Sequence, residues 1–295
     1  MSLPLSFARE GFVMPSETRT KIKLPNGQYL KPLLIGSEGE SDTGKTEFGL
    51  SIPGKGQMIA VDRNFSGVFD NPTPPEARNP NVAIKVVSVP LEGMIPVKDC
   101  VPYFTNIRDS FYNALANPDS TFVMLDGDSD FFELHTLVHY GKTKQIFPQT
   151  KWGELYAEKR IQIARSFDSG KIVLFTNKVR DEYTPVLDAD GKEQPDPANP
   201  KDVLKGKSGN KIASGFKDHS YLFQIWLTHL YKPKGVRRIG TREVEVPQQW
   251  GIRISKMKHN KALEGTELWG SDCCFRGLVE LAYPEIDIRR WGFDK

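Results

Sequence analysis

Short, wholly apolar runs alternate along this chain with longer stretches in which apolar residues recur at helical spacing. Tyr29-Leu30-Lys31-Pro32-Leu33-Leu34-Ile35-Gly36 reads as a strand that leads into a glycine-rich loop. A short helix is expected over Lys45–Ser51, closed by Pro53 and Gly54. Met58–Asp62, Val82–Val89, Thr121–Leu125 and Lys171–Thr176 follow as strands. The run over 121–125 is apolar apart from its first residue, the pattern of a strand buried in a parallel sheet, and 171–176 reads as another buried strand. Between them, Val101–Asn117 places Phe104, Ile107, Phe111 and Leu115 on one helical face, and Trp152–Phe167 is a second helix.

This alternation predicts an α/β domain with a mostly parallel central sheet flanked by helices. Residues 1–28 read as an N-terminal arm with one short strand over Thr20–Leu24, and residues 29–270 as the core. Residues 64–81, with three proline-containing turns, read as a loop. Residues 184–217, rich in Pro, Gly, Asp and Lys, read as an inserted basic loop. Later strands are expected at Tyr221–Tyr231, Glu243–Val246 and Gln249–Lys256, and residues 271–295 read as a C-terminal tail.

Composition narrows this picture. In 295 residues, 38% are hydrophobic and 26% charged, enough apolar material for a sizeable core. No stretch approaches the roughly 18 apolar residues of a membrane span. The first ten residues carry neither a basic n-region nor an apolar h-region, so no secretory signal is expected. Three cysteines make no disulfide framework, which fits a reducing cytoplasm. The five histidines show no zinc spacing. His135 and His139 stand four apart but lack the glutamate of HExxH, which argues against a metalloprotease.

The chemistry is concentrated in Gly39-Glu40-Ser41-Asp42-Thr43-Gly44-Lys45-Thr46, a full match to G-x-x-x-x-G-K-[ST]. Its glycines let backbone N–H groups wrap a phosphate. Lys45 is expected to reach the β- and γ-phosphates of ATP and Thr46 to ligate Mg²⁺. Glu40 and Asp42 oppose a polyanion unless they point outward or one of them contacts a partner subunit. Phe122-Val123-Met124-Leu125-Asp126 supplies the second carboxylate such a site needs for Mg²⁺. Asp128, Asp130 and Glu133 read as a solvated loop and helix cap. Asp62 and Asn177, each at a strand end, are candidates to orient water or sense the γ-phosphate.

In their order, these segments resemble RecA-like ATPases, and more narrowly the small phage nucleotide-binding ATPases of single-strand annealing and recombination. Gly251-Ile252-Arg253-Ile254-Ser255-Lys256-Met257-Lys258-His259-Asn260-Lys261 resembles that family's final strand and Lys-rich motif. The resemblance implies a RecA-like P-loop core using ATP and Mg²⁺. It also implies assembly into rings or filaments, with single-stranded DNA and a single-strand-binding protein as partners, in the cytoplasm of a phage host. It makes Lys256, Lys258 or Lys261 candidates to reach a neighbour's γ-phosphate. The chain departs from the family at Asp62-Arg63-Asn64, where a Glu is usual, which implies slow or DNA-stimulated hydrolysis.

Charge distribution adds the nucleic-acid expectation. Between 201 and 261 fourteen basic residues face four acidic ones, an excess that suits a phosphate backbone. Lys205, Lys207 and Lys211 are the expected DNA contacts, without sequence readout. Tyr221 and Tyr231 could stack bases, whereas Phe223 and Trp226 are expected in the core. Two other functions fit the same loop: a nucleotide-dependent switch or assembly and packaging accessory without DNA, and a small-molecule kinase. The kinase lacks an evident Arg-rich lid.

Overall fold

The computed structural model describes residues 20–61, 78–88, 96–141, 149–188, 190–197, 199–216, 219–239 and 242–293. Asp62, most of the expected arm and most of the 64–81 loop lie outside the described residues.

The strands are β1 (Leu33–Gly39), β2 (Gly56–Ala60), β3 (Val82–Val86), β4 (Phe122–Asp126), β5 (Ile172–Pro185), β6 (Pro195–Asp196), β7 (Asn199–Val203), β8 (Lys205–Ala213), β9 (Ile225–Lys232), β10 (Gly235–Ile239), β11 (Arg242–Val246), β12 (Gln249–Met257) and β13 (Glu267–Trp269). The helices are α1 (Lys45–Leu50), α2 (Val97–Ala116), α3 (Asp128–Tyr140), α4 (Gln149–Asp168), α5 (His219–Leu222) and α6 (Phe275–Ala282).

Nine strands form one sheet in the order β13-β12-β9-β1-β5-β4-β2-β3, with β8 pairing to β5. β9, β1, β5, β4, β2 and β3 run parallel to one another, while β12, β13 and β8 pair antiparallel. The expected α/β class with a mostly parallel sheet is therefore observed. β5 lies between the loop-bearing β1 and the carboxylate-bearing β4.

The uninterrupted apolar runs have a direct reason. Leu33, Ile35, Phe122, Met124, Ile172 and Leu174 point into one core, and Leu34, Val123, Leu125, Val173 and Phe175 into the other. Successive side chains alternate between the faces, so a strand covered on both sides has no polar position to spare. Phe104, Ile107 and Phe111 of α2 cover one face. Phe48 of α1 and Phe275, Leu278 and Val279 of α6 cover the other.

That last group corrects the expected C-terminal tail. Residues 275–282 are a helix whose apolar face is part of the core, and Trp291 beyond it is fully buried. The tie is specific: Ser51 at the end of α1 accepts a 2.8 Å hydrogen bond from the Phe275 amide. The expected basic loop over 184–217 is corrected too. β5 runs on to Pro185 and β8 returns along it in antiparallel register, with β6 and β7 pairing within the same excursion. Its Gly- and Lys-rich composition hid a strand that is exposed on most of its length. Lys171, at the foot of β5, is buried and donates to the carbonyls of Ala114 and Asn117, capping the end of α2.

Candidate nucleotide site

The loop springs from the buried end of β1. Gly39 is buried between neighbours: a Cβ there would lie 2.6 Å from Thr43 Oγ1 and 2.9 Å from the His229 Cβ. Gly44 has φ 86°, in the left-handed region. Between them Thr43 Oγ1 donates to the Glu40 carbonyl at 2.8 Å. The Lys45 ammonium folds back under the loop and donates to the carbonyls of Gly39, at 2.9 Å, and Glu40, at 2.5 Å. Trp250, from the start of β12, clasps the loop from outside, its Nε1 donating to the Asp42 carbonyl at 3.2 Å. Glu40, Ser41 and Asp42 are exposed.

Thr46 and Asp126 meet across the strand that separates them. Thr46 Oγ1 donates to Asp126 Oδ2 at 2.8 Å. Thr176, on that intervening strand, donates to Asp126 Oδ1 at 2.6 Å and accepts from the Gly127 amide at 2.9 Å. Asp126 is buried, so both oxygens need these partners. A hydroxyl and a carboxylate facing one another beside the loop are a fitting donor set for Mg²⁺, a cation that takes one or two protein oxygens and keeps its waters.

No protein-family model matches the chain, and no curated protein matches it.

Other expected site residues fall elsewhere. Asn177 is fully buried: Nδ2 donates to the Ser37 carbonyl, and Oδ1 accepts from Ser129, both at 3.3 Å. It ties β1 to α3 in the interior, which differs from a side chain open to a phosphate. Lys256, in β12, pairs across from Trp226, and Lys258, one residue past the end of that strand, bonds through its amide to the Gln224 carbonyl. Burial, and then the charge of Lys256, lower the Lys258 pKa.

Two of the three expected DNA lysines are already engaged. Asp181 of β5 pairs with Lys207 at 2.5 Å and Lys211 at 2.7 Å. Hydrogen bonds from Lys207 and Lys211 hold its carboxyl down to about 2. Lys211 also reaches Glu40 of the phosphate loop at 3.5 Å. Lys205 lines an adjoining groove of about 1110 Å³ with Glu38, Lys211, Tyr221 and Lys256. Tyr221 is 71% exposed, and the Lys256 ammonium lies 3.9 Å from its ring centroid. Phe223 and Trp226 are core residues, as expected.

Three features were not legible in the chain. Asp128, expected in solvent, is fully buried in an ion pair with Lys159 of α4. Asp130 is buried and pairs with Lys178 at 2.9 Å. Glu38, a carboxylate near the end of β1, accepts from Thr228 Oγ1 at 3.0 Å, and burial pushes its pKa up. Of the three, Glu38 alone left a trace in the chain, as an acid one residue before the loop.

Proposed function

We propose that the chain is a Mg²⁺-dependent ATPase with a RecA-like core that acts on single-stranded DNA in recombination, annealing or replication. The observation that carries the first half is the 2.8 Å contact between Thr46 and Asp126, which unites a complete phosphate loop with a buried carboxylate. Lys45 exchanges its two loop carbonyls for phosphate oxygens when nucleotide enters. Thr46 and Asp126 would hold the Mg²⁺, whose charge neutralises phosphate oxygens during transfer. Thr176 orients Asp126, and Trp250 keeps the loop in shape. Asp62 is the proposed water-orienting carboxylate. The proposed target of Lys256 and Lys258 is the nucleotide of a neighbouring copy in a ring or filament.

The DNA half rests on the groove beside the loop, with its exposed Tyr221 and the lysines of β8. A second reading is a nucleotide-dependent switch without DNA. The Lys211–Glu40 pair favours it, because it links β8 to the phosphate loop directly.

ATP hydrolysis measured with and without a single-stranded oligonucleotide tests both. The expected result is Mg²⁺-dependent hydrolysis stimulated by DNA and abolished in Lys45→Ala. Hydrolysis by Lys45→Ala at the wild-type rate overturns the site. Hydrolysis without DNA binding at low salt puts the switch first.

A further inference from the structure

His135 and His139 stand one turn apart on α3, and Glu158 faces them from α4. A single carboxylate oxygen, Glu158 Oε2, lies 2.8 Å from Nε2 of His135 and 3.4 Å from Nε2 of His139. All three donor atoms lie within 4.8 Å of one another, and among the described residues this is the one such group of three. Ligands bonded at about 2.0–2.2 Å to a tetrahedral ion stand roughly 3.3 Å apart, so only a small adjustment separates this arrangement from a coordinated one.

The surroundings are those of a built site. His135 is buried, and its ring stacks on Phe104 with centroids 4.7 Å apart, which fixes its orientation. The side chains of His139 and Glu158 are 19% and 39% exposed, so an ion has an entry path and water can reach a fourth position.

We propose that His135, His139 and Glu158 bind one divalent transition-metal ion of the zinc class. Two imidazoles and a carboxylate suit such an ion, whereas Mg²⁺ prefers an all-oxygen set. The ion joins α3 to α4 by bonds in place of the hydrogen bonds that join them without it. The next residue after Glu158, Lys159, pairs with Asp128 at the first turn of α3. The two helices are thus tied near both ends of α3. This site is separate from the nucleotide site and does not depend on its reading.

The test is titration of the full-length, chelator-stripped protein with Co²⁺ and Zn²⁺ in the absence of nucleotide. One equivalent of Co²⁺ is expected to give the visible absorption of a low-symmetry four-coordinate ion, bleached by one equivalent of Zn²⁺. His139→Ala and Glu158→Gln are expected to weaken Zn²⁺ binding by roughly tenfold or more. Glu158→Gln preserves shape, and an unchanged circular dichroism spectrum shows that its fold is intact. Asp126→Asn is expected to leave Zn²⁺ binding as it was. No stoichiometric binding, or binding indifferent to both ligand variants, overturns the proposal. So does binding lost in Asp126→Asn but kept in Glu158→Gln, which would place the ion beside the phosphate loop.

Discussion

Thr176 Oγ1 stands between two groups at the site, donating to Asp126 Oδ1 at 2.6 Å and accepting from the Gly127 amide at 2.9 Å. One hydroxyl therefore orients the site carboxylate and satisfies the first amide of the turn into α3.

Thr176→Val keeps the shape and removes both bonds. It is expected to cost about 1–3 kcal/mol of stability, because buried polar atoms lose their partner. With the Thr176 bond to Asp126 Oδ1 lost, Mg²⁺-dependent ATP turnover should fall about tenfold, while Thr176→Ser retains it. Denaturant unfolding and steady-state hydrolysis check the two halves. Full turnover in the valine variant would remove Thr176 from the site.

The Asp128–Lys159 pair is fully buried. Asp128→Ala leaves an uncompensated buried ammonium and is expected to cost about 3–5 kcal/mol. The double variant Asp128→Leu with Lys159→Met should recover most of that loss. Urea unfolding of the three proteins decides the matter. A single variant within about 1 kcal/mol of wild type would show that the pair is not held in a dry interior.

Asp181 engages both Lys207 and Lys211. Asp181→Asn releases them, so under the DNA reading affinity for a single-stranded oligonucleotide should rise at low salt. The slope of log affinity against log salt should steepen by about 1.4, that is, about 0.7 for each of two new phosphate contacts. Fluorescence anisotropy at several salt concentrations measures this. An unchanged slope would favour the switch.

His229 is buried beside the phosphate loop, edge-on to Phe48 at 5.7 Å. Burial, and then the charge of Lys45, hold its pKa down at about 3. In the unfolded chain it protonates below about pH 6.5. Between those values the unfolded state binds the extra proton, so this contribution is complete above pH 6.5 and is lost as pH falls toward 3. From pH 7 to pH 5 wild type should lose about 2 kcal/mol more stability than His229→Leu. Equal losses in the two proteins would rule out a neutral, buried His229.

The loop Gly39–Thr46, the strand ending in Asp126 and the two-faced character of β4 and β5 were all legible in the chain. Each is a contiguous signal: a fixed glycine spacing, or an apolar run whose alternate residues must both be covered. The tertiary structure decided the rest. β8 reads as loop because its residues are polar and exposed, and only pairing with β5 makes it a strand. Phe275–Ala282 gains a place in the core only once Ser51 and Phe48 are beside it. Asp128, Lys159, His135, His139 and Glu158 look like solvated surface in one dimension, since a charged or polar side chain is stable inside only beside its partner. Those partners lie on separate helices, and the chain meets itself there only after the sheet has brought α3 and α4 together.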